Sequence, residues 1–186
     1  MIGRILKKIA RIGLPDDIVH LQPYTVIWKW MFFTEKIRLK VALGGIVVDI
    51  QHVGSTAISD MVAKPIIDVC LAISDYRAAM LCVHRIEGLG YIYKGENDSL
   101  QQHYFVKGNP TSYSLYMVQI GNEILENGVY FRDYLIQHPE VANNYVSLKR
   151  KLARQFVTDR KEYQKAKHSF VKQVIEMART ERIIPK

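Results

Sequence analysis

Long apolar runs, a disulfide framework and low-complexity stretches are all missing from this chain of 186 residues, and each absence excludes something. Two cysteines, Cys70 and Cys82, cannot staple a chain of this size. Both lie in apolar stretches where a buried thiol is expected, which points to a reducing, cytoplasmic setting. No run approaches the roughly 20 residues that cross a bilayer. Val41 to Val48 and Ile66 to Ile73 are short and broken by Gly45 and Asp68, so no membrane partner is expected. Six prolines and 11 glycines are too few for a collagen-like or linker-like chain. What is present is ordinary for a folded domain: 48% hydrophobic and 24% charged residues, enough to bury a core and to exclude disorder as the main state.

Acidic residues are scarce at one end only. The formal net charge is +8, and residues 149–186 alone carry 12 Lys/Arg against 4 Asp/Glu. The preceding 148 residues are therefore balanced. Arg4, Lys7, Lys8 and Arg11 add a second basic stretch at the start, so a slightly acidic body lies between two basic ends.

Ile2, Ile5, Ile9 and Ile12 recur at helical spacing, and residues 1–13 read as an amphipathic packing helix stopped by Gly13-Leu14-Pro15. No uninterrupted apolar core or small-residue cleavage site follows those charges, which disfavours a signal peptide. Trp28, Phe32, Glu35 and Leu39 mark a helix ending at Gly44-Gly45. Ile46 to Val53 and Pro65 to Ile73 read as strands, the second apolar enough to be covered on both faces. Ser74-Asp75 caps a crossover helix reaching Leu89. Tyr91 to Lys94, His103 to Lys107 and Tyr113 to Ile120 read as further strands, with turns at Gly95-Glu96-Asn97-Asp98 and Gly108-Asn109-Pro110. From Glu123 the pattern is helical, divided at Pro139 and again at Thr158-Asp159. The fold class is α+β (mixed α/β), in one domain: an arm over residues 1–13, a core over 14–121 and a helical tail over 122–186.

The chemistry concentrates in Gln51-His52-Val53-Gly54-Ser55-Thr56-Ala57 and Ala63-Lys64-Pro65-Ile66-Ile67-Asp68-Val69-Cys70. A strand that ends in Gly-Ser and turns into a helix offers unpaired N–H groups and hydroxyls from Gly54, Ser55 and Thr56, which suit a phosphate. Taken alone, Gly-Ser-Thr is an ordinary helix start with a hydroxyl cap. If the next strand lies beside the first, Asp68 faces the mouth of the turn, where an acid holds the Mg²⁺ that accompanies a nucleoside triphosphate. A carboxylate inside Pro-Ile-Ile-Asp-Val is costly unless paired, with Mg²⁺ or with Lys64.

These blocks, together with Tyr130-Phe131-Arg132-Asp133-Tyr134-Leu135 before His138-Pro139, resemble the GrpB family. Pro23-Tyr24, Trp28, Phe32, Glu35, Tyr145, Leu148-Lys149, Leu152-Ala153, Tyr163 and Lys167 are similar to its pattern as well. The resemblance implies a nucleotidyltransferase-like core of mixed β-sheet with flanking helices. It also implies a Gly-Ser turn for the triphosphate and strand acids for two metal ions. Asp68 would be the metal ligand, Lys64 and Arg132 would balance charge, and a nucleotidyl group would pass to an unidentified acceptor. The chain departs from that pattern at the second acid, where Cys70 stands, and at Gln51, Ser114 and Tyr116. Those departures support an alternative: a degenerate module binding a nucleotide, another phosphate ligand or RNA.

Other groups have two readings. His52 and His103 show no metal-ligand spacing. Arg132-Asp133 is either an anion grip or a structural pair. Tyr91, Tyr93, Tyr104, Tyr113 and Tyr116 suit base stacking or cross-strand packing. The tail lysines and arginines, from Lys149 through Arg160 to Lys167, read as a solvated helix face rather than a nucleic-acid site, or as a lid that folds over the cleft.

Overall fold

The computed structural model describes residues 12–181 except Asp16. Most of the expected arm therefore falls outside the described residues. Its end does not: Ile12 is buried in the core, and Gly13 N–H donates to the Pro65 carbonyl at 2.8 Å.

Helix α1 (Ile27–Leu43) leads through a short 3₁₀ turn into strand β1 (Val47–Val53), and a second 3₁₀ turn, Ser55–Ala57, follows. Strand β2 (Ile67–Ile73) precedes helix α2 (Ala79–Glu87), which a 3₁₀ turn opens with Asp75 accepting from Arg77 N–H. Strands β3 (Tyr91–Asn97), β4 (Gln102–Lys107) and β5 (Tyr113–Gln119) complete the sheet. Four helices follow: α3 (Glu123–Gln137), α4 (Pro139–Gln155), α5 (Arg160–Ala166) and α6 (His168–Thr180). The expected turn at Gly95 to Asn97 is strand instead, because a bulge takes up Lys94 and pairing resumes at Gly95 opposite Tyr104.

The strands run in the order β1-β2-β5-β4-β3, with β2 and β5 parallel and every other pair antiparallel. Period-two alternation then sorts the side chains of β2. Ile67, Val69, Leu71 and Ile73 join Trp28, Met31 and Leu39 of α1 and Cys82 and Ile86 of α2 in the main core. Each such side chain contributes roughly 1.5–3 kcal/mol on burial. Cys70 and Ala72 point the other way, onto Leu125 and Val129 of α3. Asp68 shares their face. It is the first residue of that row, where α3 no longer covers the sheet and the other tail helices take over.

The tail helices pack on one another, and on Ile58 and Met61 after β1, through Phe131, Tyr134, Tyr145, Val174 and Ala178. Helix α3 approaches β1 closely because Gly128 has no side chain: a Cβ there would meet Val53 Cγ1 at 3.0 Å. Among the described residues, no helix is long and apolar enough to cross a membrane.

Candidate functional site

A cavity of about 330 Å³ opens where β1 and β2 end beneath the tail helices. Val53 pairs with Asp68 across the two strands, so the turn after β1 sits over the carboxylate. Gly54 holds φ +71°, and a Cβ at this position would lie 2.7 Å from Asp68 Oδ2. Only glycine meets both demands. The expected juxtaposition of Gly-Ser turn and acid is present, but the element that follows differs. The strand runs into a single 3₁₀ turn rather than an α-helix, so no helix N-terminus is aimed at the cavity.

The other walls come from the tail. Lys149 on α4, Arg160 on α5 and Lys167 at the α5–α6 junction reach the cavity, with Lys64 from the β1–β2 connection. Four basic side chains thus share the cavity with one carboxylate, and three of them, Lys64, Arg160 and Lys167, act on it electrostatically. Lys64 Nζ is buried and has no hydrogen-bond partner among the described residues; the Tyr163 ring lies 5.6 Å away. Lys167 Nζ lies 4.4 Å from the same ring, and Lys149 Nζ 4.6 Å from the Tyr145 ring. Two of the cavity's three tyrosines, Tyr145 and Tyr163, thus lie under lysine amines, while Tyr116 stacks on Tyr104.

Electrostatics follow from this crowding. Burial lowers Lys64, Arg160 and Lys167 lower it further, and Asp68 opposes both. Burial raises Asp68, while Lys64, Lys167 and Arg160 pull it back. Burial brings Lys167 down to about 8 and Lys149 to about 6, the latter with help from Lys167. Lys149 donates to Ser55 Oγ at 3.1 Å and to the Val62 carbonyl.

Other expected residues are placed elsewhere or already engaged. Thr56 lines the cavity, but its hydroxyl lies 2.9 Å from His52 Nε2 and donates to the Ile66 carbonyl at 3.4 Å. His52 stacks on Phe32, and burial, then Arg132 and Lys29, lower it to about 3, so it stays neutral. Arg132 does not line the cavity. Its guanidinium forks onto Asp133 at 2.7 and 3.1 Å and donates to Gln51 Oε1 at 2.8 Å and the His52 carbonyl at 3.0 Å, clamping α3 to β1. His103 bonds the Tyr93 hydroxyl at 2.8 Å. Of the five strand tyrosines, Tyr116 alone lines the cavity.

A two-metal site does not fit these residues. Cys70 is buried, and burial with Asp49 pushes its thiol up to about 12, leaving a neutral, soft group where a hard cation needs oxygen. Asp49 binds Gln51 Nε2 at 2.9 Å, Glu35 pairs with Lys107 at 2.6 Å, and Asp60 is exposed. Among the described residues, no three His, Cys, Asp or Glu side chains gather as a metal cluster.

Of the two readings of the basic tail, a solvated helix face or a lid over the cleft, the structure follows the second for Lys149, Arg160 and Lys167, which line the cavity. A signal was available for Lys149. It follows Tyr145 by four residues and precedes Leu152 by three, on the buried stripe of α4.

Comparisons with known proteins agree with this architecture. The UPF0157 protein YqkA of Bacillus subtilis is 35% identical over 179 residues, covering 91% of this chain and 52% of its own length. The chain thus spans about half of that relative. The crystal structure of conserved protein GrpB from Enterococcus faecalis superposes with a TM-score of 0.82 at 27% identity, covering 88% of this chain and 99% of that one. Cid1 poly(U) polymerase, solved with Mg and 3′-dATP bound, gives a TM-score of 0.51 at 10% identity over 82% of this chain and 47% of its own. That likeness shows a shared nucleotidyltransferase-like fold. The family model described as GrpB protein matches residues 18–177, and the chain therefore belongs to the GrpB family.

Proposed function

We propose that the cavity binds a phosphate-bearing ligand of the nucleotide class, and that this chain keeps the anion grip of a nucleotidyltransferase-like fold without its two-metal transfer chemistry. The observation that carries this reading is the gathering of Lys64, Arg160 and Lys167 around Asp68, with Lys64 Nζ buried and unbonded. Buried ammonium groups this close repel one another and lose hydration. A phosphate answers both costs, because each oxygen accepts charge-assisted hydrogen bonds. Asp68 then orients the cations, and Gly54 admits the ligand to the turn. Metal-bridged attack by an acceptor hydroxyl, the expectation attached to Asp68 and Mg²⁺, lacks a second hard ligand. Arg132 serves this site by fixing β1.

Calorimetric titration of ATP, UTP and pyrophosphate, with Mg²⁺ and then with EDTA, tests the reading. Binding should persist in EDTA and weaken tenfold or more, about 1.4 kcal/mol, in Lys64→Met or Lys167→Met. Failure of all three ligands to bind at millimolar concentration would overturn it. Mg²⁺-dependent release of pyrophosphate from a triphosphate would replace it with nucleotidyl transfer.

A further inference from the structure

The cavity's lining holds a second set of polar groups besides the anion grip. Ser55 Oγ lies 3.1 Å from Lys149 Nζ, and Tyr145, one turn earlier on α4, hydrogen-bonds Ser55 as well. Lys149 is 1% exposed and fixed by a second hydrogen bond, to the Val62 carbonyl. Ser55 lines the cavity, so its hydroxyl is both held by an amine and open to a ligand.

We propose that Ser55 and Lys149 form a nucleophile–base pair acting on an ester that carries an anionic group. The proposal rests on the anion-pocket reading: Lys64, Arg160 and Lys167 hold the anionic end while the carbonyl reaches Ser55. In its neutral form Lys149 still donates an N–H to the Val62 carbonyl, while the contact to Ser55 reverses, the amine lone pair accepting the hydroxyl proton across the same 3.1 Å. Neutrality follows from the surroundings. Burial and Lys167 act on the amine, its immediate neighbours are Ser55 and the Tyr145 ring, and Lys64, Arg160 and Asp68 line the same cavity. An amine losing its proton near pH 6 is a competent base at neutral pH.

In the step itself, Ser55 Oγ bonds to the carbonyl carbon as its proton moves to Lys149 Nζ. The carbon–oxygen bond to the leaving alcohol then breaks, and that oxygen takes the proton from Lys149. Water, activated by the same amine, releases the acid and restores the Ser55 hydroxyl. The amides of Ser55 and Thr56, at the start of a 3₁₀ turn whose hydrogen bonds begin with Ala57 N–H to the Gly54 carbonyl at 3.2 Å, would supply the donors for the developing oxyanion.

The probe is p-nitrophenyl succinate, an anionic ester, with neutral p-nitrophenyl butyrate as control. Peptide mass spectrometry of the full-length protein should map the succinyl adduct to Ser55. Lys149→Met, with its fold checked by circular dichroism, should acylate about 100-fold more slowly. The wild-type rate should rise with pH as Lys149 deprotonates, and pyrophosphate should slow succinate but not butyrate. An adduct on a lysine, no adduct on Ser55, or wild-type rates in Lys149→Met would overturn the proposal. Pyrophosphate binding without acylation would sink the pair and leave the anion reading standing. Acylation indifferent to pyrophosphate and to ester charge would do the reverse.

Discussion

One methyl group at Gly54 would collide with Asp68 Oδ2 and force a side chain into positive φ. Gly54→Ala should therefore cost about 1–3 kcal/mol, read as a lower urea midpoint, and should also abolish ligand binding. Lys149 behaves in the opposite sense. Its folded pKa, near 6, lies below the usual lysine value, so between about pH 6 and 10 the unfolded chain binds more protons than the folded one. Stability from this group therefore rises with pH across that window. Lys149→Met should flatten the rise, as thermal melts at successive pH values would record. Asp68 is shifted upward, so its contribution is present below the unfolded carboxylate value and is lost as pH climbs through its folded value, near 6. An anion favours the protonated lysines, and its affinity should fall from pH 6 to pH 8.5 as Lys167, near 8, loses its charge.

At the scale of elements, α3 is joined to β1 by two devices, the Gly128–Val53 contact and the Arg132–Asp133–Gln51 cluster. Removing one partner of a buried pair leaves the other charge uncompensated, so Arg132→Ala should destabilise by roughly 3–5 kcal/mol in denaturant melts. Pairing it with Asp133→Ala should recover part of that loss. These elements differ in how far their roles were legible from sequence. β1, β2 and β5 were readable because β-branched alternation and the Gly-Ser break are local signals. Asp68 stood out because a carboxylate in an apolar strand demands a partner. Lys64 stood out as one partner, but Arg160 and Lys167 did not, since they are ordinary residues of basic helices and only tertiary packing turns them inward. The expected helix after Ser55 gave way to a 3₁₀ turn because Gly54 must sit over Asp68, which re-aims the chain.

Across the whole molecule, the basic excess of the last 38 residues is not spread evenly over a surface, since Lys149, Arg160 and Lys167 line the cavity while Lys161 and Lys165 face solvent. Salt therefore separates the two populations. Charge on the exposed groups is screened within a Debye length of about 8 Å at physiological ionic strength, whereas the enclosed ones are screened far less. Pyrophosphate affinity should change much less between 50 and 300 mM NaCl for the wild type than counterion release from an open basic surface would require, as titrations at the two salt concentrations would show. The placement of Lys167 about 100 residues after Asp68 has a consequence for biosynthesis. At roughly 5–20 residues per second, about 5–20 s separate the emergence of the two groups from the ribosome. In the first part of that interval, until Leu125 and Val129 of α3 emerge, the face of β2 bearing Cys70 and Ala72 has nothing to cover it. The nascent chain thus carries a half-made pocket, and premature termination anywhere before Lys167 leaves Asp68 without one of its three cations.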